Sequence, residues 1–231
     1  MIAWSLYKEL KTHSEKRVPN KSQGVFITLE GGDGSGKTTL QQKLSSHLSS
    51  LGYVIVVTRA PGGTPLGASI RNILLHKTKI ALCARAELLL FLADRAQHVE
   101  EVIVPALHKK QIVLCDRFND STIAYQGGAR EEDLEKIGSL CRFASVDVEP
   151  HLTFYLDVDP KLGLERALRI KSASDRLEGE ALAFHQKVRA AYLALAKKYP
   201  QRIHVLDGSV SPERVFAKAV DILSSYLAKV K

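Results

Sequence analysis

Gly31-Gly32-Asp33-Gly34-Ser35-Gly36-Lys37-Thr38 sets two glycines, a lysine and a hydroxyl at the spacing Gly-x4-Gly-Lys-[Ser/Thr]. That spacing lets successive backbone N–H groups wrap around the phosphates of a nucleotide. The glycines permit left-handed backbone and close approach, Lys37 can reach a transferring phosphate, and the Thr38 hydroxyl can ligate Mg2+. The chemistry implied is the binding of ATP or GTP.

Further charged and aromatic groups recur at intervals after this loop. In Thr58-Arg59-Ala60-Pro61-Gly62-Gly63-Thr64 an arginine stands beside a rigid turn, so Arg59 is either a phosphate clamp or a solvated turn residue. Asp116-Arg117 follows the apolar run Ile112 to Cys115. Behind a phosphate loop, such a pair suits Mg2+ held through water by Asp116 and a phosphate gripped bidentately by Arg117; elsewhere it would be a structural ion pair. Phe91 and Arg95 share a helical face and can meet one base with a ring and a guanidinium, core packing being the alternative for Phe91. Ser121-Thr122-Ile123-Ala124-Tyr125-Gln126-Gly127-Gly128 offers hydroxyls, an amide and a ring, as a sugar and base reader would. Arg166, Arg169, Lys171 and Arg176 crowd one stretch that Ser172-Ala173-Ser174 interrupts. It reads as a cationic lid able to neutralise charge on a transferring phosphoryl group, or more plainly as a solvated basic helix.

The elements that must position these groups follow from the apolar pattern. Strand-sized runs cover Val25 to Glu30, Tyr53 to Thr58, Gln111 to Cys115, Leu152 to Asp157 and Ile203 to Leu206. Helix-sized stretches cover Lys37 to Leu51, Leu66 to Leu75, Ala84 to Lys109, Glu131 to Phe143, Lys161 to Ile170, Glu180 to Lys198 and Pro212 to Lys229. This alternation predicts an α/β fold with a five-stranded parallel sheet and helices on both faces. Ligands of such sheets gather at the carboxyl ends of the strands, where the singled-out residues fall.

A chain of 231 residues with 45% apolar content can bury one large core. It contains no membrane-spanning run, and its N-terminus does not fit a secretion signal, so a cytoplasmic location is expected. Cys83, Cys115 and Cys141 are widely spaced, which suits reduced thiols and neither disulfides nor zinc. The histidines fall in no metal-binding frame. Of the net charge of +8, Lys8, Lys11, Lys16, Arg17 and Lys21 against Glu9 and Glu15 place +3 in the first 23 residues, leaving +5 for the rest. Much of that sits in phosphate-handling motifs and steers anionic substrates without implying nucleic acid. Residues 1–23 read as an extension outside the fold, with Trp4 to Leu10 a short helix at most, and residues 24–231 as the catalytic domain.

Taken in order, these motifs resemble the bacterial thymidylate kinase family. Glu30 to Thr38 fits its phosphate loop, Thr58 to Thr64 its Arg-containing turn, Asp116 to Gln126 its Asp-Arg motif, and Asp175-Arg176-Leu177-Glu178 its lid motif. The resemblance runs from about Gly24 to the C-terminus. It implies a P-loop nucleoside monophosphate kinase-like fold with a small basic lid near residues 166–178, and transfer of phosphate from MgATP to dTMP in dTTP synthesis. It implies that Gly31, Gly32, Asp33, Gly34, Ser35, Gly36, Lys37 and Thr38 hold ATP, and that Thr38 and Asp116 hold Mg2+. Asp33 resembles the acceptor for the sugar 3′-hydroxyl. Arg59, Arg71 and Arg117 resemble the groups on the dTMP phosphate, Phe91 the stacking ring, Arg95 and Thr122 the readers of the polar edge, and Tyr125 the residue that excludes a 2′-hydroxyl, with Gln126 a further substrate-binding residue. Lys37 and Arg117 are expected catalytic groups, and because the loop itself lacks an arginine the resemblance implies that Arg169 or Arg176 supplies the catalytic arginine from the lid, with Arg166 and Lys171 in reserve. A homodimer is also implied. Two departures stand out: Ala60 replaces the usual glutamate, and Phe118 the usual Tyr or His. A GTPase switch lacks its guanine-reading motif here. A nucleic-acid-binding ATPase lacks basic-aromatic clusters outside the phosphate motifs. Another nucleotide or deoxynucleoside kinase is the nearest alternative.

Overall fold

The computed structural model describes residues 24–75, 82–170 and 176–230. The expected extension 1–23, Lys171, Ser172-Ala173-Ser174 and Asp175 lie outside the described residues. Strand β1 (Val25–Gly31) leads through the phosphate loop into α1 (Lys37–Ser50), and β2 (Ile55–Arg59) is followed by α2 (Pro65–Leu75). Helix α3 (Ala84–His98) runs through a π-helical turn (Val99–Ile103) into α4 (Val104–His108) and then β3 (Ile112–Asp116). A short helix α5 (Asn119–Thr122) widens into a second π-helical turn (Ile123–Ala129) before α6 (Leu134–Ser145). The chain closes with β4 (Leu152–Asp157), α7 (Pro160–Ile170), α8 (Leu182–Lys198), β5 (Ile203–Asp207) and α9 (Pro212–Val230).

All five strands are parallel, in the order β2-β3-β1-β4-β5. β1 lies in the middle with every residue buried, the consequence of helices on both faces. Its side chains alternate between two cores. Val25, Ile27 and Leu29 pack with Leu40, Leu44 and Leu48 of α1 and Ala219, Leu223 and Leu227 of α9. Phe26 packs on the opposite face with Val99, Ile103, Val113 and Phe118. Thr28 is tolerated in this strand because its hydroxyl meets that of Thr153 on β4 at 2.8 Å. Because β3 and β4 flank β1, the chain diverges to either side of it, and ligands are expected at its carboxyl end. The register brings Arg59 level with Asp116 and Asp157 level with Asp207.

The expected Ala84 to Lys109 helix is helical throughout Ala84 to His108 but changes register at Val99 to Ile103. Pro105 lies just beyond that turn and has no N–H to return to the preceding turn, which the wider register accommodates. Ser121 to Gly128, which falls within none of the expected strands or helices, is helical. Its Ala124, Tyr125 and Gln126 are buried, a packing gain that outweighs its two glycines. Among the described residues, no helix is long and apolar enough to cross a membrane.

Candidate active site

The loop after β1 turns on glycines that must be glycines. Gly34 has φ +67°, and a Cβ there would lie 1.9 Å from the carbonyl oxygen of Gly163 on α7. Gly163 in turn faces the Asp33 carbonyl, 2.5 Å from where its own Cβ would be. Loop and α7 therefore touch backbone to backbone, which fixes the helix carrying Arg166 and Arg169 against the phosphate loop. Gly36, left-handed at φ 95°, caps α1, whose amide end supplies a partial positive charge. Lys37 is buried, and its ammonium donates to the carbonyls of Gly32 at 2.8 Å and Gly31 at 3.2 Å. Burial and the nearby Arg117 charge lower its pKa.

Arg117 follows β3 in a left-handed conformation, φ 69°. Its guanidinium donates to Asp33 at 2.9 Å and lies 5.1 Å from the Tyr125 ring centre. The turn is held from beneath by Glu30, the last charged residue of β1. Phe118 N donates to one Glu30 oxygen at 2.6 Å, while Ser121 Oγ and Tyr192 OH donate to the other at 2.6 and 2.9 Å. Burial, then the charge of Asp120, pushes the Glu30 pKa up to about 7. Asp120 is itself paired bidentately with Arg202 at 2.6 and 2.8 Å.

A single cavity of about 760 Å³ joins this loop to the remaining groups. Asp33, Lys37, Thr38, Asp116 and Arg117 line its centre. Arg59, Arg71, Phe91, Arg95, Thr122, Tyr125 and Gln126 line one end, and Val210, Pro212 and Val215 the other. Thus Gly34, Ser35 and Gly36 and all the expected acceptor-side residues meet at one site, while Gly31 and Gly32 contribute carbonyls to Lys37 behind it. Asp116 Oδ1 is buried without a hydrogen-bond partner, and the Thr38 hydroxyl lines the same cavity. A hard-oxygen pair of this kind fits Mg2+.

The end of the cavity that Arg71 and Arg95 line is braced by Asp94, His98 and Glu87, which sequence reasoning did not single out. Arg71 donates to the Pro61 carbonyl at 2.9 Å, and Asp94 accepts from Gly62 N at 2.9 Å, fixing the turn that follows the cis Ala60-Pro61 bond. Arg95 is 2% exposed; its guanidinium lies 4.2 Å from the Phe118 ring centre, with Nε and Nη1 unpartnered. Phe118 packs its ring edge-on to Phe26 at 4.8 Å, so this departure from the family motif makes an apolar platform for Arg95. Ala60 is buried in the same cluster. His98 meets the Thr58 hydroxyl at 2.7 Å, and burial lowers its pKa to about 3, keeping it neutral. Gln126 donates to Glu87 at 2.9 Å. The available signal was helical spacing: Glu87, Asp94 and His98 fall on the face of α3 that also carries Phe91 and Arg95.

The basic lid residues diverge. Arg169 lines the cavity, and Arg166 lines it while donating to the carbonyls of Gly208 at 2.7 Å and Ser209 at 3.2 Å. Arg176 does not line the cavity; it pairs with Glu87 and donates from Nε to the Leu74 carbonyl at 2.8 Å.

Known proteins are similar to this chain in sequence and in fold. The family model described as thymidylate kinase matches residues 29–219. A thymidylate kinase of Protochlamydia amoebophila is 48% identical over 210 residues, covering 88% of this chain and 93% of its own. One from a Geobacter species is 51% identical over 191 residues, covering 80% and 85%. The crystal structure of thymidylate kinase from Ehrlichia chaffeensis superposes with a TM-score of 0.71 at 38% identity, covering 87% of this chain and 98% of that one. With the phosphate loop, the parallel sheet and these matches in agreement, the chain belongs to the thymidylate kinase family.

Proposed function

We propose that this chain transfers the terminal phosphoryl group of ATP to dTMP, giving ADP and dTDP on the route to dTTP. The observation that carries the reading is one continuous cavity with the phosphate loop at its centre and an arginine-rich, aromatic end opposite an apolar end. The triphosphate lies along the loop with its base toward Val210, Pro212 and Val215. dTMP takes the other end, its phosphate toward Arg59, Arg71 and Arg117, and its base between Phe91 and the Arg95, Thr122 and Gln126 group. Tyr125 stands where a 2′-hydroxyl would project, and Asp33 where a 3′-hydroxyl could donate.

Phosphoryl transfer demands alignment and charge cancellation more than covalent chemistry. A dTMP phosphate oxygen is already anionic, so it attacks without a general base. Lys37 and Arg169 offset the charge spreading on the transferring group, while Arg117 orients the acceptor. Thr38 and Asp116 would hold Mg2+, directly or through water. When bound, Mg2+ neutralises phosphate charge in the ground and transition states. Residues 24–231 form the catalytic unit in this reading, 1–23 standing apart from it. We further assign a homodimer and a cytoplasmic location, which suits charged substrates and the free Cys83, Cys115 and Cys141.

A coupled ADP-release assay over dTMP, dUMP, UMP, dCMP, AMP and thymidine tests the reading. The highest kcat/KM is expected for dTMP, and a higher value for any other acceptor overturns it. Retention of single-stranded DNA on filters at physiological salt would favour a nucleic-acid ATPase instead.

A further inference from the structure

Glu87 is a carboxylate 1% exposed on α3, the kind of group that proteins retain only when it is fully paired. Its three donors come from two separate segments. Gln126 Nε2, in the second π-helical turn, donates at 2.9 Å; Arg130, just beyond that turn, at 3.4 Å; and Arg176, from the far limb of the lid, pairs with it most closely. Burial alone would raise the Glu87 pKa, but the hydrogen bonds from Gln126 and Arg176 and the two guanidinium charges outweigh it and lower it. The group is therefore ionised at neutral pH.

Arg130 continues to Glu180 at 2.6 Å and stacks over the Phe184 ring at 4.8 Å. The turn Arg176 to Glu180 is thus pinned at both ends to one centre, at Arg176 directly and at Glu180 through Arg130. Arg176 is fastened further by its own N–H to the Leu75 carbonyl at 3.1 Å and by Nε to the Leu74 carbonyl. Between the two pins, Leu177 and Glu178 are buried and line the cavity. The same carboxylate that fixes this turn also fixes the Gln126 amide on the acceptor side.

We propose that Glu87 is a positioning residue that locks the Arg176–Glu180 turn and Gln126 into one wall of the acceptor site, and that Arg176 acts through Glu87 and not on the transferring phosphate. The proposal rests on the dTMP kinase reading for its kinetic arm only. It leaves Arg169 as the lid arginine that serves the chemistry.

The test uses the full-length enzyme with Glu87→Gln, Arg176→Ala, the double variant and Arg169→Ala, each first matched to wild type by thermal melting. Glu87→Gln and Arg176→Ala are each expected to raise KM for dTMP about tenfold with a smaller change in kcat, and the double to be no worse than the larger single within about twofold, as groups acting as one unit are. Losses that multiply in the double, or a fall in kcat of about a thousandfold for Arg176→Ala at unchanged KM, as for a transition-state arginine, overturn the proposal. Hydrogen exchange supplies an arm independent of substrate. Amides of residues 176–180 should exchange faster in both single variants while those of β1 and β3 do not, and unchanged protection of the turn overturns the proposal even if dTMP proves to be the wrong acceptor. Arg176→Ala leaves Glu87 paired with Arg130 and Gln126, so it reports even if Glu87→Gln fails to fold.

Discussion

Replacing Glu30 by glutamine should remove the loss of stability that its carboxyl causes as pH rises. Glu30 is wholly buried, and its pKa stands near 7 against an ordinary 4.5 because burial and the charge of Asp120 disfavour its ionised form more than Ser121, Arg117 and Tyr192 favour it. Since the folded value exceeds the unfolded one, the unfolded chain holds fewer protons between the two, and the wild type loses stability as pH rises through that window. The gap corresponds to about 3 kcal/mol when fully expressed, of which about 2 kcal/mol is lost between about pH 5.5 and about pH 8. Glutamine retains the shape and can still satisfy the site. Its oxygen accepts from Phe118 N, and its amide group donates to the Ser121 and Tyr192 hydroxyls that now donate to the carboxylate. Urea unfolding of both proteins across this range is the assay. The stability of the wild type relative to the variant should fall by about 2 kcal/mol as pH rises. A difference that is flat, or that grows with pH, would refute the account of Glu30 as a carboxyl penalised for ionising.

Three further outcomes follow from the geometry. Gly34→Ala places a Cβ against the Gly163 carbonyl in left-handed backbone, adding about 1–2 kcal/mol of strain and pushing α7 from the loop, so turnover should fall about a hundredfold; near-normal kcat would show that the contact does not position the lid helix. Arg117→Gly and Arg117→Ala should both lose turnover, yet the glycine variant should be the more stable by about 1 kcal/mol in chemical denaturation, because φ is 69° there. Equal stabilities would contradict that assignment of strain. Leu66 and Ile73 on α2 and Leu89 on α3 are about half exposed or more on helices that pack together, so the proposed dimer is expected to bury them. Leu89→Glu should then shift sedimentation from dimer to monomer, and a wild type that is monomeric at about micromolar concentration would remove the basis for this interface.

The phosphate loop, the five parallel strands and the order of the acceptor motifs were legible in the residues alone, because each depends on near neighbours in sequence. A strand of β-branched and apolar residues, a glycine turn and a helix start are local matters, and their spacing fixes where backbone N–H groups point. Segment ends moved by a residue or a few, as with β2 beginning at Ile55 and α6 at Leu134. The strand order, the helical form of Asn119 to Ala129 and the distinct fates of the lid arginines were decided by tertiary structure. Arg169 and Arg176 have the same chemistry, and what separates them is a buried carboxylate on α3, distant in sequence from both. Glu30 makes the same point: its partners Phe118, Ser121 and Tyr192 lie far along the chain, and nothing near it in sequence shows that a charged residue in a central strand would be satisfied. Periodicity marks which faces are buried, but the pairing of polar groups inside them exists only once distant segments have come together.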